Sequence, residues 1–488
     1  MRERIQIGGR SRDFESRYSR EEVINCYIDS DAQGEFKRLV RLPGFDDYIT
    51  IGTGQIRALH VANNVLYAIS GQEAYRISAT NVGGVQSELL GNVAGFSGPA
   101  RIASIGTDEP QVMFLTNNRG FVYKNSDQSF TEVTDVDFDP DFSVTAFNQR
   151  FWFNKPNSNE FFASDILDGL SYDPLFFASA ENKPDPLVYV QSLNTELYLF
   201  GTRTIERWQD TGATQGFPLR RITGSTIDRG LGAKASIATW ETNIFFLADD
   251  FTVRKIGANG YEKISNLSFE EDVQDYSFPE TAEGFFVDRP DHKIYYITFP
   301  RDGVTWGYNV TDGVWMKRSS KSEDVDLDRW RIGSSASIFN KIILGDSVAT
   351  GKLYVLNQNT YSEAGIETPM KWVTPPVKYE KGSMTISRLE LFPEVGVGTV
   401  NQVNNIGIKE PLPLEPKVRL RVSKDGGVTF TGKKDRGLGR VGDRKKKVIW
   451  RNMGRVKRGQ ALVFEFSVND DVKTEFYEAW LDVELGVT

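Results

Sequence analysis

The stretch Glu196-Leu197-Tyr198-Leu199-Phe200-Gly201, answered after a turn by Thr204-Ile205-Glu206-Arg207-Trp208, decides the fold. Its first run is too short for a helix and rich in strand formers, so it reads as a buried strand. The turn and the second run complete a hairpin. Six further runs have the same character: Leu66-Tyr67-Ala68-Ile69, Val112-Met113-Phe114-Leu115, Phe151-Trp152-Phe153, Ile244-Phe245-Phe246-Leu247, Ile294-Tyr295-Tyr296-Ile297 and Ile342-Ile343-Leu344. In chain order the seven runs begin 46, 39, 46, 47, 50 and 48 positions apart. Partner strands after turns recur as Phe121-Val122-Tyr123, Thr252-Val253-Arg254 and Leu353-Tyr354-Val355-Leu356.

A repeat of about 40–50 residues holding about four strands is the period of a β-propeller blade. One blade cannot cover both of its faces, whereas a ring of blades covers each face with a neighbour. The pattern predicts an all-β chain with a β-propeller of six or seven blades over residues 51–365. An array of unrelated sandwiches would space its strands similarly. Residues 1–50 lie outside the period, are polar and charged, and end in Leu42-Pro43-Gly44. They are predicted to form an extended arm that a neighbour must order.

The period is lost after Leu356, and Thr374-Pro375-Pro376 marks a boundary. Beyond it polar and apolar residues alternate in Ser387–Phe392, Val418–Val422, Leu462–Phe466 and Glu478–Leu485. Half-buried antiparallel strands give that alternation, so residues 366–488 are predicted to form a smaller β-sandwich-like domain. The loop Thr399–Pro416, with Pro411, Pro413 and Pro416, is long enough to be functional or interfacial.

Composition narrows the chemistry. The 488 residues are 39% hydrophobic and 25% charged, a globular profile with enough chain for a large core. Two histidines, His60 and His292, and one cysteine, Cys26, preclude an internal disulfide and the usual four-ligand zinc site. Imidazole acid–base work would fall to one of two distant residues; His292 and Cys26 read as structural. No P-loop, nucleophile elbow, metal or cofactor signature is present. The carboxylate pairs Asp249/Asp250, Glu270/Glu271 and Asp470/Asp471 are adjacent in sequence, and neighbours on a strand point to opposite faces. Met1-Arg2-Glu3-Arg4 leads into no apolar signal core, and no run of 18 apolar residues occurs, so a soluble protein of a reducing compartment without a membrane span is expected. Asn309-Val310-Thr311 then reads as a chance glycosylation match.

Two motifs stand out. Ser423-Lys424-Asp425-Gly426-Gly427-Val428-Thr429-Phe430 matches the Asp-box pattern of sialidases and other propellers. In it Ser423, Asp425, Gly427, Thr429 and Phe430 should build a turn: the carboxylate caps backbone N–H groups, the glycines take positive φ and the aromatic packs beneath. Residues 433–458 carry twelve Lys and Arg against two acids, so the rest of a chain of net charge −8 carries −18. Lys433, Lys434, Arg436, Arg444, Lys445, Lys446 and Lys447 are candidates for docking onto an acidic partner or sister subunit. A solvated basic hairpin and phosphate contacts to nucleic acid are the alternatives.

The chain also resembles the packaged-DNA stabilization proteins of short-tailed phages, the tail accessory or nozzle family. The resemblance lies in the order and spacing of many pieces. These include Asn25-Cys26-Tyr27-Ile28, Leu42-Pro43-Gly44-Phe45, Ala180–Asp185, Glu196–Gly201, Thr204–Trp208, Thr211-Gly212 and Gly216-Phe217-Pro218. Later come Thr305–Asn309, Gly313-Val314-Trp315, Glu394–Gly398, Arg436–Gly439 and Val448–Arg455. The resemblance implies a non-enzymatic virion tail protein, without cofactor, assembled in the host bacterial cytoplasm. It implies a six-fold homo-oligomeric ring below the portal and its head-to-tail adaptor, carrying a distal needle, tip or fibre. Such a ring extends the DNA channel, touches the genome transiently, helps retain it and supports its ejection. The competing expectation is a sialidase-like propeller glycosidase acting on host surface glycans, with carboxylates converging at the propeller axis.

Overall fold

The computed structural model describes residues 1–5, 7, 21–30, 37–80, 84–181, 183–213, 216–258, 260–321, 327–379, 382–396, 415–440, 442–458 and 460–486. Among them, each of the seven apolar runs is the second strand of its own four-stranded antiparallel unit. The units are seven blades. Blade one, for example, runs Ile56–Ala62, Val65–Ser70, Glu73–Ala79 and Val85–Asn92. Second strands are buried on both faces, which is why they read as continuous apolar runs. Apolar clusters fill each junction, such as Tyr67, Phe114 and Tyr123 between blades one and two, or Phe200 and Phe246 between four and five.

Local chemistry sets the turns. Asn63-Asn64 joins two strands of blade one with both residues at positive φ, the geometry of a two-residue hairpin that Asn tolerates. In the hairpin of Glu196–Gly201 and Ile205–Asp210, buried Asp185 holds the Gly201–Thr204 corner. Its carboxylate accepts the N–H groups of Arg203 (2.9 Å) and Thr204 (2.7 Å) and the hydroxyls of Thr202 (2.5 Å) and Thr204 (2.9 Å). Among the described residues there is one α-helix, Leu267–Gln274, started by Asn266, whose side chain accepts the Phe269 N–H at 2.9 Å. Phe269 packs on Trp315 and Trp306 of blade six.

Residues 1–50, expected to form a separate arm, instead supply strands to the chain's own sheets in their described parts. Gly44–Thr50 pairs antiparallel with Lys352–Asn357 and supplies the fourth strand of blade seven. Glu22–Ile24 lies between Val314–Ser320 of blade six and Met370–Val373, joining the propeller's sheet to a sheet of the second domain. Arg2–Ile5, Cys26–Ser30 and Lys37–Arg41 join the other sheet, with Ser383–Pro393, Val448–Val456 and Glu475–Gly486. The segment finds its ordering neighbour in its own chain, because the seventh blade and both sandwich sheets offer it open edges. The loop 397–414 lies outside the described residues.

The two sheets of the second domain enclose Trp372, Trp450, Phe464, Phe466 and Phe476, and this core runs on without a break into blades six and seven through Tyr296, Trp330 and Tyr354. Most polar groups inside the junction are paired, Arg318 Nε being an exception. Buried Arg41 donates to the carbonyls of Val472 (3.1 Å), Tyr361 (3.2 Å), Thr368 (2.6 Å), Asn469 (3.4 Å) and Asp470. Glu363 accepts Trp330 Nε1–H (2.9 Å) and the Ser320 hydroxyl (2.6 Å) and faces Arg318 at 3.5 Å. Arg318 in turn donates to the Pro43 carbonyl at 2.9 Å. Asn25, at φ +57°, donates to Pro369 O and accepts the Ser319 N–H, both at 2.9 Å.

Two tests follow from this junction. A Cβ on Gly44 would sit 1.9 Å from the Ser362 carbonyl oxygen, so Gly44→Val should cost about 3 kcal/mol of stability, read from urea unfolding. Arg41→Met leaves buried carbonyls unpaired and should cost at least about 3 kcal/mol. Calorimetry should then resolve separate propeller and sandwich transitions where the parent shows one; a single transition at the parental temperature would contradict this weld.

Candidate functional site: the basic edge of the sandwich

Residues 433–458 do not form one hairpin. Lys434–Gly437 is the outermost strand of one sandwich sheet and Val448–Val456 the outermost strand of the other. The turn between them crosses from sheet to sheet. Arg436 Nε–H donates to Ile449 O at 2.9 Å and Trp450 Nε1–H to Lys434 O at 3.0 Å, stitching the two edges. Trp450 is buried beneath, so its strand is fixed while Arg451 and Arg455 point outward. Glu415 steadies the crossing turn, accepting the Gly439 N–H at 3.0 Å and pairing with Lys446 at 2.6 Å; the Lys446 contact leads in holding its carboxyl below the usual range. Lys433, Lys434, Arg436, Arg444, Lys445 and Lys447 are exposed.

The adjoining sheet face extends this charge. Val418, Leu420 and Val422 point into the core, so Arg419 and Arg421 point out, beside Lys371 and Lys433 on the wall of a shallow cleft of about 130 Å³. Arg419 pairs with Asp435 (3.1 Å), and Arg421 (3.1 Å) and Lys371 (3.6 Å) share Glu465. The alternation Val418-Arg419-Leu420-Arg421-Val422 was the signal for these outward cations. Their company with Lys371 depends on a third strand between them.

The Asp-box turn sits at the base of the same edge, in the connection leading to Lys434. Asp425 Oδ1 accepts the N–H groups of Val428 (3.1 Å) and Thr429 (2.9 Å) and the Ser423 hydroxyl (2.6 Å). Ser423 Oγ accepts the Gly427 N–H at 2.8 Å. Gly426 and Gly427 stand at φ +77° and +99°. Hydrogen bonds from Ser423 and Thr429 hold the Asp425 carboxyl far below its usual range. The Gly426 N–H donates to Ala461 O at 3.0 Å, tying the turn to the central strand. Phe430 is half-buried under the Arg421 guanidinium, 5.1 Å from its ring centre.

A second cavity, of about 450 Å³, lies at the propeller axis and is walled by the inner strands of all seven blades. Arg57 on its wall is held by the carbonyls of Gly71 (3.0 Å), Ala94 (3.0 Å), Gly95 (2.9 Å) and Gly98 (2.8 Å). Arg101 lies over the rings of Phe142 and Tyr189 and donates to the Tyr189 hydroxyl at 2.8 Å. The remaining polar side chains there are mostly hydroxyls, including Ser104, Thr145 and Ser192. The glycosidase expectation calls for two convergent carboxyl groups here, and no Asp or Glu lies on the described wall. Asp249/Asp250, Glu270/Glu271 and Asp470/Asp471 lie elsewhere; Asp250, for example, caps Thr252 and pairs with Arg254 at 2.8 Å.

His292 is buried against the Tyr27 ring, centroids 4.2 Å apart, and its Nδ1 is 3.1 Å from Asn309 Nδ2. Cys26 is buried, and burial pushes its thiol pKa up. His60 faces the axial cavity with Nε2 2.9 Å from Ser104 Oγ, and burial pushes its pKa down to about 4. A ring kept neutral in the folded state and protonated near pH 6.5 when unfolded stabilises the fold above that pH. The contribution is lost as pH falls from about 6.5 towards 4. Because the residue keeps partial access to the cavity, the effect should be about 1–2 kcal/mol. Thermal melts should therefore fall less steeply between pH 7 and pH 4.5 for His60→Gln than for the parent.

Comparison with known proteins places these features. A family model described as bacteriophage P22 Gp10, beta-propeller, matches residues 9–361, and a second, bacteriophage P22 Gp10, beta-sandwich, matches residues 370–484. No curated protein matches the chain. Among solved structures, BamB from Moraxella catarrhalis matches at 11% identity and TM-score 0.38, covering 68% of this chain and 94% of that one. The N-terminal domain of Nup159 matches at 12% and 0.39, covering 68% and 98%. PorZ of Porphyromonas gingivalis matches at 8% and 0.37, covering 71% and 45%. These three likenesses are too distant to bear on function. The two family matches follow the two folded units in order, and the chain belongs to the bacteriophage P22 Gp10 family of packaged-DNA stabilization proteins.

Proposed function

We propose that this protein is one subunit of a six-fold nozzle ring in a short phage tail. The ring lies below the portal and its adaptor, continues the DNA channel, helps retain the packaged genome and supports its ejection. Membership of the family makes the chain a structural protein of the phage particle. The observation that carries the finer reading is the division of charge. One edge of the sandwich concentrates a local excess of ten positive charges, while the rest of the chain carries −18. A subunit built this way has a docking edge for an acidic neighbour, and a predominantly acidic remainder that repels a DNA backbone and lets it slide. The Asp-box turn serves as a clip that holds the docking edge in register, and the protein performs no turnover. Arm strands, loops and the basic edge would meet sister subunits, the adaptor and distal tail parts.

The test is a phage lacking this gene. Heads should fill with DNA and then lose it, with infectivity down by orders of magnitude, and micrographs of parental particles should show a six-fold ring below the adaptor. Mutant particles that keep their DNA and infect normally would end the reading, as would a channel wall made mainly of Lys and Arg.

A further inference from the structure

The ring reading leaves open what the basic edge docks onto, and the inference here rests on that reading. We infer that the partner surface is the outer rim of blades two and three on the next copy of the chain, so that subunits join head to tail.

Three observations converge on that rim. The first is charge: residues 127–173 hold ten acids against Arg150 and Lys155, a net −8 that Arg119, Lys124 and Lys234 partly answer, to set against the net +10 of residues 433–458. Loops 133–143 and 164–176 bring many of these acids to the same inter-blade seam. The Tyr172 N–H donates to Asp135 at 3.2 Å, and Phe138 packs on Tyr172 with centroids 4.9 Å apart.

The second is exposed apolar surface in the same loops. Val136 is 92% exposed and Leu175 83%. Exposed apolar residues ringed by charge mark protein interfaces, because water leaves the centre while charges at the rim set the register. The basic edge carries an apolar counterpart in Val428, 71% exposed on the Asp-box turn.

The third is placement. The sandwich is welded to blades six and seven, and its basic edge is the sheet edge farthest from them, five strand spacings or about 24 Å from blade six. The seam between blades two and three lies three blades from that weld in one direction and four in the other. The acidic seam therefore lies across the propeller from the weld, and the basic edge lies on the sandwich, at the sheet edge away from the weld. A subunit with complementary, non-identical surfaces associates heterologously, and heterologous contacts close into rings when the rotation allows.

Charge reversal tests this directly. The rim variant carries Asp137→Lys, Asp139→Lys and Asp173→Lys; the edge variant carries Arg444→Glu, Lys445→Glu and Lys447→Glu. Both sets leave the stabilising contacts of Asp135 and Lys446 intact, and parental thermal melts would establish that both variants fold. Each variant alone should fail to complement the gene-deleted phage, with infectivity lowered at least a hundredfold. Supplied together they should restore it, in rings that alternate the two variants, because a reversed edge meets a reversed rim and a parental edge meets a parental rim. Full complementation by either variant alone, or no rescue by the pair while the parental protein forms rings, would overturn the inference and leave the ring standing. Parental tails that show no ring would instead overturn the ring reading.

Discussion

The pairing of Gly44–Thr50 with Lys352–Asn357 is the constraint on which the architecture depends. A propeller is stable only as a closed circuit, since each blade buries its faces on two neighbours. The seventh repeat supplies three strands, and its fourth comes from the other end of the chain; Lys352 and Asp47, which pair across the closure, are 305 positions apart in sequence. Closing that loop carries an entropic cost, offset by the cooperative burial of blades one and seven through Ile51, Leu66, Ile343 and Leu353. Leu42-Pro43-Gly44-Phe45 owes its composition to this closure. The Pro43 carbonyl takes Arg318, Gly44 lies against the Ser362 backbone, and Phe45 packs on Tyr354.

The same N-terminal segment welds the two folded units. It contributes a strand between blade six and the sandwich, the Arg41 guanidinium that gathers carbonyls from both sides, and Tyr27 against His292. Burying Arg41 in this way lowers its pKa to about 10, because burial disfavours the charge while the surrounding acids only partly answer it. Buried ionic groups are a weak source of net stability, and their gain here is geometric: a guanidinium that must satisfy five carbonyls admits one arrangement of the segments that bear them. For a protein that would form part of a conduit wall, a fixed angle between propeller and sandwich carries the position of one subunit to the next.

Charge is unevenly distributed along the chain, and the histidines and the cysteine lie in packing contacts and hydrogen bonds. The Asp425 carboxylate is occupied by turn N–H and hydroxyl groups. Lys and Arg are concentrated where two sheet edges meet, while Asp dominates the loops of blades two and three. Charged edges also protect the outermost strands from indiscriminate pairing.

By itself the sequence determined what is local. Runs such as Leu197–Phe200, recurring at blade spacing, specify strands buried on both faces, and the alternation in Val418–Val422 specifies a half-buried sheet, because side-chain periodicity records burial directly. The Asp-box turn was legible for the same reason, since its hydrogen bonds span a few residues. The strand Gly44–Thr50 was not: its Asp46-Asp47 centre looks like solvent-facing linker, and an outer strand exposed on one side needs no apolar run. Only the tertiary structure decided that this segment closes the ring, that the basic run straddles two sheets, and that two acidic loops of blades two and three meet at one seam. Each of these is a relation between distant parts of the chain, fixed by packing and strand pairing that no local period encodes.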